Sequence, residues 1–85
     1  MLTGPAYRVM VMTQPESLRL AVAGEVRAAM ARRKVTQAQL ATALGMAQPT
    51  VSQKLAGHSP WTVDELGAAA AFLGTSLADL VADAA

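Results

Sequence analysis

The sequence predicts an all-α domain of five helices. Three observations carry this expectation. Apolar residues recur three or four positions apart, as in Leu18, Val22, Val26 and Met30, or Leu66, Ala69, Ala70 and Leu73. Helix-opening residues stand ahead of these runs at Thr13, Thr36, Thr62 and Ser76. Gly45, Gly57 and Gly74 follow three of the runs and act as stops.

The chain divides into an N-terminal arm, residues 1–12, and a helical domain, residues 13–85. The arm holds Gly4 and Pro5 and then Tyr7 to Met12, a stretch of modest β propensity. Three readings stay open for it: a floppy arm or residues upstream of a natural start at Met10 or Met12, a short strand that pairs with a second subunit, or a segment touching a ligand through Arg8.

Thr13-Gln14-Pro15-Glu16 is a capping box with proline in the first turn, and it opens a helix to about Arg33. Leu18, Val22, Val26 and Met30 form its expected buried stripe. Arg32, Arg33 and Lys34 end it, where cations complement the helix dipole. Thr36 caps a second helix to Leu44, with Leu40 and Leu44 one turn apart. Gly45 then occupies a position that wants positive φ. A third helix runs from Gln48 to about Ala56, with Pro49 in its first turn and Gly57 after it.

With Val51 and Leu55 turned inward, Pro49 and Gln53 of this third helix point directly away. Thr50, Ser52 and Lys54 flank them, and Gln48 projects from the first turn. The outward face is hydrogen-bonding groups and one cation, with no carboxylate. Such a face suits the major groove, where amides pair bidentately with base edges and phosphates repel acids.

Past the loop His58-Ser59-Pro60, Thr62 and Glu65 form a capping box, with Trp61 and Leu66 placed as a hydrophobic staple. Leu66, Ala69, Ala70 and Leu73 make the inner face of that fourth helix. Ser76 caps a fifth, Leu77 to about Asp83, with Leu77, Leu80 and Val81 as apolar contacts.

Composition narrows the function. Eighty-five residues allow one modest core. There is no cysteine, which suits a cytoplasmic protein, and no apolar run long enough to span a bilayer. His58 is the only histidine, so no metal site is expected, and no catalytic constellation or cofactor loop is evident. An enzyme is not expected. Residues 1–57 carry all seven Lys and Arg against two acids, a balance of +5. Residues 58–85 carry four acids and no Lys or Arg, a balance of −4. That asymmetry is the kind a nucleic-acid binder shows.

The stretch Thr36-Gln37, Leu40-Ala41, Leu44-Gly45, Thr50-Val51-Ser52 and Gly57 resembles the helix-turn-helix of the phage-repressor/Cro family, also called XRE-like or lambda-repressor-like. The match extends through Thr62–Leu66 and Leu73-Gly74 to Leu80. The resemblance implies a compact five-helix bundle and a transcriptional regulator that binds a double-stranded DNA operator, associated with the nucleoid. It implies base readout by Gln48, Pro49, Thr50 and Gln53. It implies phosphate contacts from Gln37, Ser52, Lys54, His58 and Ser59, and from the helix end at Arg32, Arg33 and Lys34. Gln37 is also placed to brace Gln48. Many family members carry an apolar residue where Lys54 stands and Glu where Leu55 stands, which suggests a slightly rotated helix here.

A homodimer over two half-sites is expected, because one such domain covers about half an operator. The last helices or the arm must supply its interface. Two identities fit the family: a phage Cro or repressor, or a bacterial XRE-type regulator. A different class is an antitoxin that binds a toxin partner and represses its own operon.

Overall fold

The computed structural model describes residues 15–84. The expected arm at residues 1–12 and the Thr13 cap lie outside them. Five helices follow in order: α1 (Pro15–Arg33), α2 (Gln37–Leu44), α3 (Gln48–Leu55), α4 (Val63–Phe72) and α5 (Leu77–Ala84). Among the described residues there is no strand. α1 packs on α5 and α3, α2 on α3 and α4, and α4 on α5.

The openings follow the sequence. Thr36 Oγ1 accepts from Gln39 N–H, and Gln39 Oε1 accepts from Thr36 N–H, a complete capping box. Thr62 and Glu65 do the same for α4. Ser76 Oγ accepts from Asp79 N–H at the start of α5. Each cap satisfies donors that a helix start leaves unpaired.

Four helices close in one way. The amide just past the helix bends back to a carbonyl five residues earlier: Val35 to Met30, Met46 to Ala41, His58 to Gln53 and Thr75 to Ala70, all at 2.9–3.0 Å. The residue before each of these donors sits in the left-handed region. It is Gly45, Gly57 and Gly74 at three ends, but Lys34, at φ 56°, at the end of α1. This closure is a Schellman motif, and glycine is its low-strain occupant.

The core is small and aliphatic. Val26, Leu40, Val51 and Leu55 are its most enclosed large side chains. The expected inner face of α4, Leu66, Ala69, Ala70 and Leu73, is buried throughout. On α1 the expectation needs correction. Val22, Val26 and Met30 are buried, but Leu18 is 48% exposed. A spacing of four overshoots the helical repeat by about 40° per step, so three steps rotate Leu18 well off the buried line. Ala23 and Ala29 complete the stripe instead. On α5, Leu80 is buried and Leu77 packs against the core, while Val81 is 42% exposed.

Candidate nucleic-acid interface

α3 is built to show one face. Val51 and Leu55 are fully buried, whereas Gln48, Pro49, Thr50 and Gln53 are exposed and Ser52 is half-buried. Ala47 precedes the helix and offers no side-chain cap, so the first-turn amides have no side-chain acceptor from that position. Gln37 starts α2 and is also exposed. No hydrogen bond joins Gln37 to Gln48 among the described residues.

Lys54 departs from the sequence expectation. It is 9% exposed, and its ammonium is turned into the protein. Nζ donates to Pro60 O at 2.8 Å, pairs with Glu65 Oε1 at 3.1 Å, and stands 6.0 Å from the centre of the Trp61 ring. Val51 and Leu55 set the inward direction of α3, and position 54 is adjacent to that line on the wheel. The side chain therefore buries its aliphatic stem and finds partners at the edge of the core. Lys54 thus lies along the inward edge of α3, with its ammonium against Glu65 and Pro60 O.

Two arginines hold the far end of α3. Arg27 Nη1 donates to Leu55 O, and Arg19 Nε donates to Gly57 O at 3.0 Å. Both come from α1, eight residues apart on one flank. They satisfy carbonyls that the helix end leaves open and fix α3 against α1. Sequence reasoning assigned them no role. The spacing of two arginines at i and i+8 on one flank was the available signal. Leu20 packs over Gly57, where an added Cβ would collide with its Cδ2.

The outward charge is therefore narrower than the count of cations suggests. Arg19, Arg27 and Lys54 are spent on contacts within the bundle, while Arg32, Arg33 and Lys34 are all exposed at the end of α1. His58 is exposed and Ser59 half-buried in the loop after α3. His58 Nδ1 lies 3.1 Å from Gln53 Oε1, a contact that helical spacing alone does not foretell. Trp61 packs partly buried against the core and lines a groove with Leu66, as the staple requires.

A family model described as helix-turn-helix matches residues 26–80, from the middle of α1 into α5. The chain belongs to the XRE-like helix-turn-helix family. The XRE-like bundle is also similar to the crystal structure of the clp gene regulator ClgR from Corynebacterium glutamicum. That match has a TM-score of 0.76 and 28% identity, over 79% of this chain and 71% of that one. Among curated proteins, none matches by sequence. In this XRE-like domain, α2 and α3 are the paired helices of the motif, and α1, α4 and α5 form the support. No helix among the described residues is long and apolar enough to cross a membrane.

Proposed function

We propose that this protein is a sequence-specific, double-stranded DNA-binding transcriptional regulator that lays α3 in the major groove. The family and the ClgR likeness support a DNA-binding regulator in general terms. The observation that carries the specific reading is the outward face of α3. Gln48, Pro49, Thr50 and Gln53 are exposed together, while the one cation of the helix is drawn inward. That face offers amide and hydroxyl groups to base edges and brings no carboxylate near phosphate.

Gln48 and Gln53 read bases, and Pro49 and the Thr50 methyl touch thymine methyls. Gln37, Ser52, His58 and Ser59 meet phosphates around α3. Arg32, Arg33 and Lys34 add the phosphate attraction that makes affinity fall with salt. Lys54 is left out of the interface. Two copies bind adjacent half-sites about 34 Å apart.

Gel-shift titration against the DNA upstream of the protein's own gene, with a random duplex as competitor, tests the reading. Retained binding under competitor is the expected result. Equal affinity for both duplexes would leave only backbone binding.

A further inference from the structure

The Schellman closure brings together the side chains of the residue that donates the return bond and the residue five positions earlier. At three helix ends the earlier member, Met30, Ala41 or Ala70, is buried, and the pair serves the core. At α3 the pair is Gln53 and His58, and both are exposed. This closure therefore positions a polar pair on the outward side of the helix.

The two residues meet twice. His58 N–H donates to Gln53 O at 2.9 Å, and the ring Nδ1 lies 3.1 Å from Gln53 Oε1. An amide oxygen only accepts, so Nδ1 carries the hydrogen and donates it. The bond turns Oε1 toward the loop and leaves the two hydrogens of Nε2 at the other end of the amide.

This has a consequence for readout. Bidentate pairing with adenine needs both ends of the amide in line, Oε1 accepting from N6 and Nε2 donating to N7. Guanine presents two acceptors, O6 and N7, and needs only donors. We propose that His58 is a positioning residue for Gln53 that shifts its preference from the adenine edge to the guanine edge. The inference rests on the reading in which α3 enters the major groove. It deepens that reading by assigning a base class to one contact.

The test uses the full chain and a random duplex library. The wild type should enrich a motif in which one position prefers guanine. His58→Ala keeps the backbone bond and frees Oε1. It should move that position toward adenine by roughly fivefold in relative affinity, the worth of one net hydrogen bond, and leave the other positions alone. In a Gln53→Ala background the same change should have no effect on that position. Two results would overturn the proposal: an unchanged base profile in His58→Ala, whatever overall affinity is lost with its phosphate contact, or the same shift without Gln53. If the wild type enriches no motif at all, the major-groove reading fails first and this inference falls with it.

Discussion

The Lys54 ammonium stands 3.1 Å from Glu65 Oε1 and ties the last turn of α3 to the first turn of α4. The same ammonium donates to Pro60 O, so it also holds the loop between them. Lys54→Met keeps the buried stem and removes both bonds. It should cost about 1–2 kcal/mol of stability, the loss of a charge-assisted bond at the core edge. Urea unfolding measures that cost. The salt dependence of DNA binding should keep its slope, because the ammonium is turned toward Pro60 O and Glu65. A shallower slope would return it to the interface.

Glu65 gives the acid limb of stability a definite sign. The Thr62 N–H bond holds its carboxyl below the usual 4.5; partial burial opposes this, and Lys54 adds to it. A group with a depressed folded pKa contributes stability above its unfolded pKa and loses it as pH falls through the folded one. Glu65→Gln still accepts from Thr62, as Gln39 does from Thr36 in α2. The variant should be less stable than wild type at neutral pH, and the gap should narrow below pH 4.5. A gap constant through the acid range would mean that the charge on Glu65 contributes nothing.

Lys34 separates stability from binding. It adopts a left-handed φ of 56° where the other three closures use glycine. Lys34→Gly relieves the strain and should stabilise the fold by about 0.5–1 kcal/mol. Lys34→Ala keeps the strained backbone and should leave stability near wild type. Both remove the cation, and each should lower affinity on all sequences and shallow the salt slope by about 0.9 if Lys34 meets one phosphate. Thermal unfolding and salt titration of the pair read the two effects independently.

Gln48 and Gln53 are exposed and pack against nothing in the core. Alanine at either should leave the unfolding curve in place. Specific binding should weaken by about 1–3 kcal/mol for each bidentate amide–base pairing that the change removes. Competition between the selected site and random duplex distinguishes base readout from general attraction. Equal weakening on both would place these amides on the backbone.

The sequence makes the helix boundaries legible because they are set locally. Thr36, Thr62 and Ser76 bond to amides three residues on, and Gly45, Gly57 and Gly74 take the conformations their positions demand. What stayed hidden depends on distance across the bundle. Leu18 is the exception: its exposure follows from the drift of about 40° per step in a spacing of four, which is local. Lys54 looks like surface by its charge, yet Pro60 and Glu65 are what make the inward position tolerable. Arg19 and Arg27 share a flank of α1, but the carbonyls they meet are 38 and 28 residues away, and the spacing does not name them. The outward residues of α3 are readable because two inward ones, Val51 and Leu55, fix the wheel.

Trp61 is the only tryptophan of the chain, and it lies at the joint between α3 and α4. Its indole nitrogen is buried with no hydrogen-bond partner among the described residues, and the Lys54 ammonium stands 6.0 Å from its ring. The molecule thus carries its own optical probe at the joint between α3 and α4. Unfolding hydrates the indole and should move its emission to the red. Lys54→Met should alter the emission of the folded protein while the helical circular dichroism stays the same, so the state of one joint can be followed without a label.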